Sequence, residues 1–254
     1  MNLLLKDKVI FLTGGSCGIG RHCAIAYAAE GAKVVVAARD QDGVKETVAG
    51  LGPEHYGIVC DLTRDDEVKA AIEKTLARYG KLDAVHNNAG IATPQPGFTR
   101  IAVEDWKRVL DIDLLGAALG CYLAFPLMRE RGGVIINTAS MAGVYPIPGD
   151  PIYAAAKAGV IHLTHSLAYW AKRSIRVNCV CPGIVDTPLS RQQAAEERKA
   201  GRIAPPPQTM MAPEAIAEVV LKFIEDDSQV GQVVEVRPGG VKVVDPRRAP
   251  GTVH

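Results

Sequence analysis

Short apolar runs alternate with longer amphipathic stretches along most of the chain. Val9–Thr13, Lys33–Ala37, Tyr56–Cys60, Ala84–Asn87, Val134–Thr138, Arg176–Cys181 and Val233–Arg237 read as strands. They are short, rich in Val and Ile, and lack strict alternation, the pattern of strands covered on both faces. Between them, Gly20–Glu30, Asp66–Tyr79, Val103–Arg131, Tyr153–Lys172 and Pro213–Asp226 carry helical periodicity. This alternation predicts an α/β fold, a doubly wound parallel sheet with helices on both faces. Ligands of such sheets lie beyond the carboxyl ends of the strands.

With 254 residues, no repeat and no long linker, the chain is expected to form one domain. Two stretches break the regularity. Leu189–Ala212 is polar at first and then runs through Pro205, Pro206 and Pro207, as a substrate loop or short helix pair over the site would. The tail Asp245–His254 is expected to be irregular. Twenty-nine basic side chains face twenty-eight acidic ones, so the totals favour neither nucleic acid nor anionic membrane as a partner. No apolar run is read as approaching the roughly 20 residues of a membrane span. Met1–Lys8 lacks the features of a secretion signal. The expectation is a cytoplasmic protein acting on a small molecule.

Cys17, Cys23, Cys60, Cys121, Cys179 and Cys181 form no paired ligand set. Cys179 and Cys181 are expected to be strand residues, and His162 and His165 ordinary helix residues, so no metal site is expected.

The first strand runs into Thr13-Gly14-Gly15-Ser16-Cys17-Gly18-Ile19-Gly20, followed by a helix. Glycines there allow a tight turn and close backbone approach to a pyrophosphate, which the helix N-terminus favours electrostatically. The spacing is G-x3-G-x-G, not the commoner G-x-G-x-x-G of dinucleotide sites. At the end of the second strand a carboxylate would bind ribose hydroxyls, whereas arginine would attract a 2′-phosphate. Here Ala38 is followed by Arg39, which favours NADP(H) over NAD(H), with Asp40 placed to blunt Arg39. Tyr153 and Lys157, four apart in a predicted helix, share one face. A phenol near an ammonium group is a candidate acid and base, because the ammonium stabilises phenolate.

These stretches together resemble the short-chain dehydrogenase/reductase family, from about Lys8 to Gly240. T-G-x-x-x-G-I-G, Asn87-Asn88-Ala89-Gly90, Ser140, Tyr153-x-x-x-Lys157 and Pro182-Gly183-x-Val185-x-Thr187 occur in the family's order. The resemblance implies a Rossmann-like fold and hydride transfer between a nicotinamide dinucleotide and a carbonyl or secondary alcohol. It implies that Gly14, Ser16, Cys17, Gly18, Ile19, Gly20, Arg39, Asp61, Leu62, Asn88, Ala89, Gly90, Tyr153, Lys157, Pro182, Gly183, Val185 and Thr187 bind the cofactor. Ser140 would hydrogen-bond the substrate oxygen, Tyr153 would exchange its proton, and Lys157 would hold the ribose and depress the tyrosine pKa.

One position departs from the pattern. Asp113 stands where the family usually has asparagine, and is counted among the catalytic candidates. If ionised beside Lys157, it should raise the lysine pKa and weaken the pull on Tyr153. Met141, Ala142, Val144, Tyr145, Pro146, Ile147, Ile91 and parts of Leu189–Met211 are candidate substrate walls, mostly apolar, pointing to a hydrophobic or cyclic alcohol or ketone. Ala154, Ala155 and Ala158, with Leu167, Ala168 and Ala171, offer a close-packing face. Family members pair these helices, which implies a homotetramer or homodimer. The rival reading is a catalytically impaired protein that binds NADP(H) as a regulator.

Overall fold

The computed structural model describes residues 3–94, 98–169, 174–199, 201 and 203–244. Ala171 and the tail from Asp245 onward lie outside them. Eight strands form one sheet in the order β3-β2-β1-β4-β5-β6-β7-β8. They are β1 Val9–Thr13, β2 Lys33–Ala38, β3 Tyr56–Val59, β4 Ala84–Asn87, β5 Gly133–Thr138, β6 Ile175–Pro182, β7 Val233–Arg237 and β8 Gly240–Val243. The first seven are parallel. β8 runs antiparallel to β7 and is exposed at every residue. The expected all-parallel sheet is corrected at this edge. β8 pairs with β7 through a two-residue turn, and its alternation is too weak to be read as a strand.

The helices are α1 Gly18–Ala29, α2 Gln41–Leu51, α3 Asp65–Tyr79, α4 Val103–Leu110, α5 Gly116–Met128, α6 Pro151–Ala168, α7 Pro188–Lys199 and α8 Glu214–Glu225. One apolar core, with Tyr27, Ile216, Val220 and Phe223, lies under α1 and α8. A second, with Phe11, Ile72, Ala124 and Met128, lies under α3 and α5. Central strands are buried on both sides, which explains why their sequences do not alternate.

α2 escapes the periodicity because Gly43 and Gly50 interrupt it. Its start is nevertheless marked by Asp40, whose carboxylate accepts from the Gly43 N–H at 3.2 Å. The expected single helix Val103–Arg131 is three pieces: α4, a π-helical turn at Asp111–Leu115, and α5. A π turn adds one residue per turn, so a 3.6-residue pattern drifts out of phase across it. This stretch, Val103–Met128, is also long and apolar enough to cross a bilayer by length and composition, contrary to the expectation of no such run. In the fold its buried residues Cys121, Ala124 and Met128 pack on the sheet.

Candidate active site

All the strand ends that matter open into one cavity of about 930 Å³. Each residue expected to bind the cofactor lines it, as do Ser140, Tyr153 and Lys157. Asp113 does not. It is buried behind Gly90 and Lys157, so it acts on the cavity only through its neighbours.

The glycine turn is shaped by close approach. Gly14 has φ +67°, and a Cβ there would come within 2.6 Å of Ala89 Cα. A Cβ on Gly20 would sit 2.3 Å from the Gly14 carbonyl oxygen. No side chain caps the start of α1, so its first N–H groups are left for another acceptor. An uncapped helix start behind a turn that excludes side chains fits a pyrophosphate. Asn88 braces the turn from β4, its Nδ2 donating to the carbonyls of Thr13 (3.1 Å) and Gly14 (3.3 Å).

That brace continues into the core through residues the sequence reasoning missed. The Tyr27 hydroxyl pairs with His86 Nδ1 at 2.9 Å, and His86 Nε2 pairs with Thr138 Oγ1 at 2.8 Å. Thr138 Oγ1 donates to Asn88 Oδ1 at 3.4 Å. Since that hydroxyl donates onward, Nε2 carries the proton and Nδ1 accepts from Tyr27. Burial lowers the His86 pKa to about 3, so it stays neutral, as this chain of bonds requires. A histidine inside an apolar strand was the available signal.

At the other end of the cavity, Arg39 points in from the end of β2 and is about half exposed. Its nearest carboxylate is that of Asp61, Nη1 to Oδ2 3.9 Å. The expectation that Asp40 would blunt Arg39 is corrected: Asp40 caps α2, and Asp61 lies against the arginine.

Ser140 follows β5 and opens a 3-10 turn at Met141–Gly143, its Oγ accepting from the Ala142 N–H at 3.1 Å. The turn lies so close to α6 that a Cβ on Gly143 would meet the Lys157 backbone at 2.6 Å. This brings Ser140 to the same stretch of cavity wall as Tyr153, close enough for the serine hydroxyl to favour phenolate. Tyr153 stands in the first turn of α6, where Asp150 caps the helix and accepts from the Tyr153 N–H at 3.2 Å. Asp150 also accepts from the Thr93 hydroxyl at 2.5 Å, tying the loop after β4 to the same corner.

One turn further on, Lys157 Nζ lies 5.6 Å from the Tyr153 ring centroid. It donates to the Thr138 carbonyl at 3.2 Å and sits 3.1 Å from Asp113 Oδ2. Asp113 Oδ1 accepts from the Ile91 N–H at 2.9 Å. Burial pushes the Asp113 carboxyl up, against the pull of Lys157. Burial pulls Lys157 down most, but Asp113 and Tyr153 together outweigh it and the ammonium is held above its ordinary value. Burial also pushes the Tyr153 phenol up; Lys157 counters this and Asp113 adds to it. The expected depression of Tyr153 by Lys157 is present as a contribution but does not prevail in the protein alone.

The outer wall is α7 with the following segment, through Leu189, Gln193, Ala194, Pro205 and Thr209. Thr187 caps α7, accepting from the Ser190 N–H at 3.2 Å, and its methyl faces Gly18. Ile91, Met141, Ala142 and Ile147 line the cavity as expected, but Val144, Tyr145 and Pro146 do not. Val144 turns into the core and Tyr145 toward β7. Cys179 and Cys181 are buried in β6. No cluster of metal-ligating side chains occurs among the described residues.

Residues 8–198 match the model of the short chain dehydrogenase family. The chain belongs to this family. It is 34% identical over 245 residues to a 3-oxoacyl-[acyl-carrier-protein] reductase of Thermotoga maritima, covering 92% of this chain and 98% of the relative. It is 35% identical to the cis-4-hydroxycyclohexanecarboxylate dehydrogenase of Sinomonas cyclohexanicum, covering 94% and 98%. The crystal structure of a 3-ketoacyl-(acyl-carrier-protein) reductase from Brucella melitensis complexed with NADH superposes with a TM-score of 0.83. It is 28% identical, over 92% of this chain and 98% of that one. This family member is an NAD(P)-dependent oxidoreductase acting between carbonyl and alcohol groups.

Proposed function

We propose that the protein interconverts a hydrophobic or cyclic secondary alcohol and its ketone with NADP(H), using Tyr153 as acid and base. The observation that carries the reading is the convergence of Ser140, Tyr153 and Lys157 on the cavity wall that also holds the glycine turn. The bound dinucleotide supplies or accepts the hydride at the nicotinamide ring. Gly14, Ser16, Cys17, Gly18, Ile19 and Gly20 would cradle the pyrophosphate. Asp61 and Leu62 would border the adenine, and Asn88, Ala89 and Gly90 the ribose. Pro182, Gly183, Val185 and Thr187 would border the nicotinamide. Arg39 carries the NADP(H) preference, because a 2′-phosphate offers a better partner than Asp61 at 3.9 Å.

Ser140 orients the substrate oxygen toward Tyr153. In reduction, Tyr153 gives that oxygen a proton; in oxidation it removes one. Lys157, held charged by Asp113, orients the ribose and stabilises phenolate. Asp113 is a positioning residue, not a group in contact with substrate. The apolar wall of Ile91, Met141, Ala142 and Ile147 supports a hydrophobic substrate. The relative acting on a hydroxylated cyclohexane ring points the same way. α7 and the segment to Ala212 would serve as the substrate lid.

A homotetramer is proposed from the unpartnered outer faces of α5 and α6, where Tyr122, Leu127, Ala155 and Ala158 are exposed. We place it in the cytoplasm. Turnover of a cyclic ketone panel by wild type and Tyr153→Phe tests the assignment. The variant should keep dinucleotide binding and lose at least about a hundredfold in kcat. Retained turnover would remove Tyr153 from the chemistry. The rival reading, a regulator that only binds the dinucleotide, requires no turnover by the wild type.

A further inference from the structure

Arg237 ends β7 and lines the cavity together with Pro238. Its guanidinium is held from two sides. Its guanidinium carbon lies 4.8 Å from the centroid of the Tyr145 ring. Its Nη2 is in close contact with Glu235 Oε2, and the Tyr145 hydroxyl donates to Glu235 Oε1 at 2.8 Å. Glu235 is only 3% exposed. A buried carboxylate carries a desolvation penalty unless it is paired. Two pieces of chain, β7 and the segment after the Met141 turn, cooperate to keep this one fixed.

What the arrangement fixes is the arginine. Guanidinium has five N–H donors in a planar fork. Glu235 and Tyr145 engage one side, and the side chain remains 43% exposed toward the cavity. Placement supports a role at the substrate's far end. β6 lies between β5 and β7, and the Gly183 N–H after β6 donates to the Val236 carbonyl at 2.9 Å. Two strand spacings separate the ends of β5 and β7, about 10 Å. Ser140 and Arg237 therefore stand on either side of the β6 end and line the same cavity. The wall between is apolar, with Met141 packed against Gly183. Among the other charged groups that line the cavity, Lys157 is engaged by Asp113, Asp150 and Asp40 by the helix starts they cap, and Arg39 and Asp61 lie together at the adenosine end, while Glu197 comes from α7.

We propose that Arg237 is a specificity-determining residue that binds a carboxylate on the substrate, opposite the reacting oxygen. The preferred substrate is then a ring-sized apolar alcohol or ketone bearing an acid group. This deepens the reading of the cavity as a substrate site and rests on it. No new bond is made; the guanidinium donates from its free edge while Glu235 and Tyr145 hold the other.

Binding without turnover separates this from the catalytic assignment. Cyclohexanecarboxylate and cyclohexanecarboxamide, which lack a reacting oxygen, are titrated calorimetrically into protein saturated with dinucleotide. They are compared in wild type, Arg237→Lys, and the double variant Glu235→Gln/Arg237→Met. Wild type should prefer the acid by roughly tenfold or more. The double variant, which removes both charges together, should lose that preference. The lysine variant leaves Glu235 a cationic partner but lacks the fork, and should lose most of it. If the double variant does not fold, the lysine variant decides. Absence of acid binding or preference in wild type overturns the proposal, as does its survival in Arg237→Lys. A failed Tyr153→Phe test would strike the catalytic reading and leave this binding difference intact.

Discussion

Replacing Asp113 by asparagine removes one buried negative charge and little else. The amide oxygen still accepts from Ile91, now 2.9 Å from Oδ1, while Lys157 loses its ionic partner at 3.1 Å and keeps the Thr138 carbonyl at 3.2 Å. With Nζ 5.6 Å from the Tyr153 ring centroid, the carboxylate lies on the order of 7 Å from the phenol. At an effective dielectric of about 20, a unit charge at that distance is worth roughly 2 kcal/mol, or one to two pH units. Both groups feel the loss. Lys157 loses the partner that holds it up, and Tyr153 loses a charge that opposes phenolate. The two titrate as a coupled pair, so the observed midpoints belong to the pair.

Oxidation needs phenolate, so its rise with pH should move about one to two pH units toward acid in Asp113→Asn. Reduction needs phenol, so its alkaline decline should move the same way. The assay is the pH dependence of kcat/KM in both directions, from about pH 5 to 10. Superimposable profiles would refute the electrostatic argument. Stability supplies a second readout. A lysine raised in the fold adds stability that is complete below its unfolded pKa and is lost as pH rises through the folded one. The variant should show a shallower alkaline fall in Tm.

Two further tests address other parts of the site. Fluorescence titration of Arg39→Ala should show NADPH affinity falling toward that of NADH, which is nearly unchanged; a preference for NADH in wild type would reverse the cofactor assignment. His86 is neutral in the fold and depressed to about 3, so it makes stability fall as pH drops below about 6.5, by roughly 1.4 kcal/mol per pH unit. Thermal unfolding of His86→Leu between about pH 6.5 and 4 should show a flatter acid slope together with weaker dinucleotide binding, because Thr138, which donates to Asn88, loses the partner that orients its hydroxyl. An unaltered slope would mean that the histidine charges freely in the native state.

Much of this protein is written locally. Val9–Thr13, Ala84–Asn87 and Val233–Arg237 match β1, β4 and β7 residue for residue, because strands buried largely on both faces show as short, Val- and Ile-rich runs without strict alternation. The glycine turn and the Tyr153–Lys157 pair are equally local, since a tight turn and a four-residue helical spacing involve only neighbours. Asp113 was visible as a departure, yet its contact with Lys157 joins residues 44 apart and depends on the π turn that rotates it inward.

The rest required the packed chain. Tyr27, His86, Thr138 and Asn88 come from a helix, two strands and the loop after one of them, and nothing in their spacing suggests one line of hydrogen bonds. Tyr145 and Glu235 are 90 residues apart, so a wall residue in the sequence becomes an anchor for Arg237 in the fold. The sign of the Tyr153 pKa shift was also a tertiary matter. Sequence supplies the ammonium that lowers it, but burial and the Asp113 carboxylate exist only once the chain has closed around them.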